Sequence, residues 1–116
     1  MMATTPEGKI KKKIDAMLKS KKGVWFFKPQ SGQFGSSGIP DYIVCAAGFF
    51  VGIEAKSGPT KKPTALQEKC MADIETAGGA CFVVYDDWTL GEAEEIIDNV
   101  LRENELMGSM LNNVSR

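Results

Sequence analysis

The chain reads as an α/β domain with a mixed central sheet flanked by helices. Apolar residues recur at helical spacing in three stretches, and short β-branched or aromatic runs lie between them. The resulting order is α-β-β-β-α-β-α. The strand-helix-strand stretch from Phe49 to Tyr85 is long enough for a right-handed crossover, which makes one strand pair parallel and the sheet mixed.

The first helix is expected from Thr4, with Glu7 three residues on as a capping-box partner. Ile10, Ile14, Met17 and Leu18 repeat at helical spacing, and Gly23 follows the end. Val24 to Lys28 reads as a short strand. Pro29 to Gly38 is rich in Gly, Ser and Gln and too polar for a core. Tyr42 to Ala46 and Phe49 to Ile53 form a hairpin about Ala47-Gly48. Ser57 to Pro63 is a second loop. A helix from near Thr64 turns Leu66, Cys70 and Ile74 (or Ala77) inward and stops at Gly78-Gly79. Cys81 to Tyr85 lacks alternation, which suits a strand buried on both faces. Thr89 with Glu92 gives another capping box, ahead of the stripe Ala93, Ile96, Ile97, Val100 and Leu101. Trp88 is expected to pack near that helix start. Trp25, Phe26 and Phe27 suit a core or a dimer contact better than base stacking.

Composition fits one domain spanning 1–116, with its core at about 5–104 and a tail at 105–116. Of the 116 residues 43% are apolar and 25% charged, the balance of a globular chain. No run approaches the ~20 apolar residues of a membrane span, and no secretory signal is visible. Cys45, Cys70 and Cys81 are three in number, widely spaced and set among apolar residues. They read as small buried residues in a reducing compartment, the cytoplasm. The lack of histidine and of a CxxC pair argues strongly against a structural zinc site, and the lack of histidine excludes any His-dependent triad.

The hairpin brings chemistry together. If Ala47 and Gly48 form a two-residue loop, Ala46 faces Phe49, Val44 faces Val51 and Asp41 faces Glu54. Glu54 and Lys56 then share a face. Two carboxylates directly opposite each other destabilise a sheet. A divalent cation removes the conflict: hard oxygen ligands suit Mg²⁺ or Mn²⁺, which need only one or two carboxylates plus water and phosphate. The Ala55 carbonyl could add one oxygen, and the Lys56 ammonium could orient an attacking water or offset phosphate charge. The plainer alternative is a surface hairpin ending in a solvated Glu and Lys.

Charge is divided along the chain. Residues 1–72 carry a balance of +7 and residues 73–116 one of −8, within a net −1. A basic half containing the carboxylate-lysine cluster suggests a polyanion partner. Lys9, Lys11, Lys12, Lys13, Lys19, Lys21, Lys22 and Lys28 could contact phosphates, with binding that weakens steeply in salt. The acidic Glu92-Glu94-Glu95 face should then point away from nucleic acid. The tail (Leu106, Met107, Met110, Leu111, Val114) either packs on a second subunit or frays.

The motifs Gly38-Ile39-Pro40-Asp41, Gly52-Ile53-Glu54-Ala55-Lys56 and Gln67 near a helix start resemble the PD-(D/E)xK nuclease superfamily. More narrowly, with Leu66-Gln67 and Ala77-Gly78-Gly79-Ala80 ahead of a strand, they resemble the VRR-NUC domain in its stand-alone, phage-type form, across residues 5–100. The resemblance implies a restriction-endonuclease-like αβββαβ core and a Mg²⁺- or Mn²⁺-dependent DNA nuclease. It further implies a Holliday-junction-resolvase-like homodimer on four-way junctions, in the cytoplasm of a bacterial or phage-infected cell. Asp41 and Glu54 would be metal ligands with the Ala55 carbonyl, and Lys56 the catalytic lysine. Gln67 would act from the helix behind the site, or be only the capping partner of Thr64. Glu7 would complete the metal site, or only cap Thr4. Lys9, Lys12, Lys13, Lys28, Lys61 and Lys62 would bind DNA, with Ser31, Gln33 and Ser36 in the loop before the motif. A less selective nuclease on nicked or linear duplex and an inactive DNA-binding module are the alternatives. The intact Asp, Glu and Lys argue against the second.

Overall fold

A computed structural model describes residues 5–30 and 38–113. The elements are α1 (Pro6–Lys19), β1 (Val24–Phe27), β2 (Tyr42–Ala46), β3 (Phe49–Ala55), α2 (Ala65–Thr76), β4 (Ala80–Val84) and α3 (Asp87–Asn113). They form an α/β fold on one open, mixed sheet in the order β1-β2-β3-β4. β1-β2 and β2-β3 pair antiparallel, and β3-β4 pair parallel across the α2 crossover.

The hairpin has the register that the two-residue loop predicts: Ala46 faces Phe49, Val44 faces Val51 and Tyr42 faces Ile53. Ala47 and Gly48 both have positive φ, 50° and 86°, as a type I′ turn requires. That turn matches strand twist, but its first position suits Asn or Gly better than Ala.

One sheet face carries Val24, Phe26, Tyr42, Val44, Ala46, Val51, Ile53, Ala55 and Val84. It packs on Ile10, Ile14, Met17 and Leu18 of α1 and on Ala93 and Ile97 of α3. The Tyr42 hydroxyl, buried here, donates to Asp15 Oδ1 at 2.7 Å and stands 3.0 Å from the Lys11 carbonyl. This docks α1 on the strands. Lys21 ties the end of α1 to α3 through Glu94 and Asp98.

The opposite face is only partly covered, and several expectations fail there. α2 has no buried residue, and Leu66 is 55% exposed. α2 reaches the sheet mainly beside Phe50 and Cys81. β4 is half-buried rather than enclosed on both sides, because it is an edge strand. Cys45 is exposed, and Cys70 and Cys81 are only partly buried. Trp88 is 77% exposed and does not pack.

Two helix starts also differ. α1 is capped by Thr5, whose hydroxyl accepts from Gly8 N at 3.0 Å. Glu7 is therefore one position short of a capping-box partner. α3 starts earlier than Thr89. The Asp86 carboxylate accepts from Thr89 N at 2.9 Å, and the Thr89 hydroxyl accepts from Asp86 N at 3.1 Å. Thr89 is thus the inner member of the box, not its cap. α3 continues through the tail to Asn113, and Val114 lies outside the described residues. No described helix is long and apolar enough to cross a membrane.

Replacing Ala47 with Asn should stabilise the protein by roughly 0.5–1 kcal/mol, because Asn tolerates the left-handed conformation that Ala resists. A higher urea midpoint at unchanged slope checks this, and an unchanged or lower midpoint contradicts it.

Candidate active site

Asp41 and Glu54 meet at one end of the sheet, where β2 begins and β3 ends. The approach to Asp41 is set by backbone and packing. Gly38 has φ 106°, and a Cβ there would lie 2.6 Å from the Leu66 carbonyl. The segment can therefore pass close under the first turn of α2 only with glycine. The Pro40 ring fills the space left by Gly52. Asp41 then arrives opposite Glu54, beyond the last ladder pair.

The two carboxylates bond across this pair. Asp41 N donates to Glu54 Oε1 at 3.1 Å, and Ala55 N donates to Asp41 Oδ2 at 2.8 Å. Ala55 N–H thus points to the β2 side of its strand, and the Ala55 carbonyl shares that edge. Lys56 N goes the other way, to Val84 O at 3.0 Å.

The Lys56 ammonium lies 3.3 Å from Glu54 Oε2 and donates to Gln67 Oε1 at 3.0 Å. Gln67 Nε2 donates to Glu54 Oε2. Gln67 Oε1 also accepts from Thr64 N at 2.8 Å, while Gln67 N donates to Thr64 Oγ1 at 3.2 Å. The two roles open to Gln67 are therefore compatible. It closes the capping box of α2, and that bond fixes its amide between Glu54 and Lys56.

Glu54 is 3% exposed. Burial raises its carboxyl pKa above the usual range, with the neighbouring Asp41 charge adding to the effect; hydrogen bonding and charge from Lys56 and the Asp41 N–H oppose it. A buried carboxylate against a second carboxylate is an arrangement that a cation relieves. Two carboxylates and one carbonyl, all hard oxygen, fit an ion such as Mg²⁺ that keeps several waters. Among the described residues no group of three or more His, Cys, Asp or Glu could hold a metal ion by itself.

Glu7 sits on the first turn of α1 with its carboxylate 3.3 Å from Lys11 Nζ, and the same ammonium is 3.9 Å from Asp41 Oδ1. Lys11 thus stands at the carboxylates, a position that its lysine-rich surroundings disguise in sequence. Lys9 and Lys13 line a shallow cleft with Ser57, the residue after Lys56, and with Tyr85, Asp86 and Asp87. Lys13 pairs with Asp87 at 2.8 Å and Lys28 with Asp15 at 3.1 Å. Lys12, Lys61 and Lys62 are exposed. Ser31, Gln33 and Ser36 lie outside the described residues. Of the acidic helix face only Glu94 is paired among the described residues, with Lys21 just past the end of α1 at 2.6 Å; Glu92 and Glu95 are exposed.

No protein-family model matches the chain, and no curated protein matches it either.

A raised folded-state pKa for Glu54 has a definite linkage sign. Its contribution to stability is full below the ordinary carboxylate value and is lost as pH rises through the raised one. The Glu54→Gln variant lacks this loss. Its melting temperature, relative to that of the parent protein, should therefore climb as pH is raised above about 4.5. A difference that stays flat with pH would contradict the raised pKa.

Proposed function

We propose that the protein is a Mg²⁺- or Mn²⁺-dependent DNA nuclease of the PD-(D/E)xK kind, with a VRR-NUC-like core. Its preferred substrate is a four-way junction or other branched DNA. The observation that carries the proposal is the buried Glu54 carboxylate beside Asp41, with Lys56 and Gln67 bonded to it. A purely structural hairpin end has no need of a buried carboxylate set against a second one, and this one raises a pKa unfavourably.

Asp41, Glu54 and the Ala55 carbonyl would hold the ion. Bound there, it supplies positive charge against the phosphate and acidity to a nearby water. Lys56, steadied by Gln67, is placed to hydrogen-bond the attacking water or a phosphate oxygen. The water oxygen bonds to phosphorus, an ester P–O bond breaks, and the leaving oxygen takes a proton. Glu7, paired with the Lys11 ammonium that faces Asp41, would act on the site through that ammonium or through water. The start of α2 lies at this same end of the sheet, where its helix dipole favours an anion. Lys9, Lys12, Lys61 and Lys62 could follow the DNA backbone, and Lys13 and Lys28 could join by giving up their ion pairs.

A homodimer fits two uncovered apolar surfaces. Trp25, Phe27 and Phe50 are exposed on the sheet, and Leu106, Met107, Met110 and Leu111 are exposed along α3. Replacing Leu106 and Met110 together by Glu should convert a dimer to a monomer in sedimentation. An unchanged mass would remove α3 from the interface.

The decisive assay offers a four-way junction and matched linear duplex with Mg²⁺, Mn²⁺ or EDTA. Junction cleavage that needs the ion is expected. Equal cleavage of both substrates would favour a less selective nuclease, and junction binding without cleavage a DNA-binding module. Asp41→Ala should abolish cleavage. Lys56→Ala should slow it by roughly 10²–10⁴-fold, and Gln67→Ala by about 10–100-fold, as a support to groups that act directly. Normal cutting by Asp41→Ala would sink the site.

A further inference from the structure

We propose that Lys11 is an internal counter-ion, standing at Asp41 in place of the divalent cation and displaced when that ion binds. The inference rests on the metal-site reading above and assigns this residue a role of its own. Lys11 Nζ lies 3.3 Å from Glu7 Oε2 and 3.9 Å from Asp41 Oδ1. Asp41 Oδ2 is committed to Ala55 N, so Oδ1 is the oxygen left for a cation. Among the described residues no other ammonium or guanidinium comes within ion-pair distance of Asp41. Lys56 answers Glu54 in the same way, so each carboxylate of the pair has its own lysine.

The backbone of Lys11 is held in place by the fold. Its carbonyl is within hydrogen-bond distance of the buried Tyr42 hydroxyl, which pins that turn of α1 over the end of the sheet. The ammonium is too far from Asp41 for a hydrogen bond, so the attachment is a loose charge contact that a better cation can replace. An ammonium and a divalent ion cannot both sit against Oδ1. Lys11 therefore competes with the ion while DNA is absent. A backbone phosphate draws the ammonium away, opening Asp41 and releasing Glu7 from its pair. Ion and DNA binding are then coupled through this side chain, and the coupling is reciprocal. Lys11 is a positioning residue in this scheme, acting through Asp41.

Mn²⁺ binding to the DNA-free protein, followed by the electron paramagnetic resonance signal of the unbound ion, tests this directly. Lys11→Gln should bind Mn²⁺ about threefold or more tightly than the parent protein, the expected scale for removing one charge at a partly solvated contact. Lys11→Arg, which keeps the charge, should stay within about twofold of the parent. The gain from Lys11→Gln should shrink when junction DNA is present. Unchanged or weaker binding by Lys11→Gln overturns the inference. Asp41→Ala separates the two ideas. If it binds Mn²⁺ as the parent does, the metal-site reading falls and Lys11 with it. If it loses binding while Lys11→Gln gains nothing, only the role of Lys11 falls.

Discussion

A slip of one residue in the pairing of β2 with β3 would carry Glu54 to the helix-packed face of the sheet and separate it from Asp41. Everything at this end of the molecule depends on that register. It is set by a turn of two residues, Ala47 and Gly48, both at positive φ. Ala47 tolerates this strained conformation because the register is fixed elsewhere as well. Tyr42, Val44 and Ala46 face Ile53, Val51 and Phe49 across the ladder, and most of these are fully buried against α1 and α3. The apolar inner face therefore fixes the polar outer corner. Core packing is what holds two carboxylates where their mutual repulsion would separate them.

The cost of that placement falls on Glu54. Burial and the Asp41 charge both disfavour its ionised form, and the protein offsets this with donors rather than with exposure. Gln67, Lys56 and Asp41 N all donate to, or pair with, this one carboxylate. The offset reaches it from different elements, so α2 and β3 are fastened together at the site. The capping box of α2 is part of the same network, since Gln67 Oε1 serves Thr64 N and Lys56 Nζ at once. Starting that helix and orienting the lysine are thus one structural event.

Where a single periodicity governs a stretch, the fold was legible in the sequence. The order of elements along the chain, the hairpin register and the core positions of α1 follow from alternation and helical spacing. The signals that misled were local ones with two readings. Thr4 and Thr5 are both capable caps, and only Thr5 takes the position. Thr89 looked like a cap because Glu92 follows it by three, but Asp86 precedes it by three and caps more strongly. Apolar content in Cys81–Tyr85 and in α2 suggested burial. The four-stranded sheet leaves β4 at an edge, and α2 covers little of the outer face, so those residues remain partly wet. At the site, Asp41, Glu54, Lys56 and Gln67 could be read from spacing and resemblance. Lys11 could not, because nothing in a run of lysines says which one faces a strand thirty residues away.

The division of charge along the chain acquires a different meaning in three dimensions. Read linearly, a basic half and an acidic half suggest one surface for DNA and another turned from it. In the fold, part of each is spent on the other. Lys13 pairs with Asp87, and Lys21 with Glu94 and Asp98. Glu94 raises the pKa of the Lys21 ammonium, with Asp98 adding to it. Lys28 turns to Asp15 and lies over the Tyr42 ring, on the buried side of β1. The more exposed of these pairs, Lys13 with Asp87 and Lys28 with Asp15, contribute little stability, about 0–1 kcal/mol each, and salt screens them. Their effect is to orient. Together the pairs draw Lys13 and Lys21 toward α3 and Lys28 toward α1, while Lys9, Lys12, Lys61 and Lys62 have no ion-pair partner among the described residues. Lys9 lines the cleft beside Ser57, and Lys61 and Lys62 stand on the loop that follows Lys56. The positive charge left over by internal pairing therefore includes lysines on α1 and on the loop after Lys56, the two segments that also carry Lys11 to Asp41 and Lys56 to Glu54. A polyanion drawn to those lysines would be drawn toward the elements that bear the site.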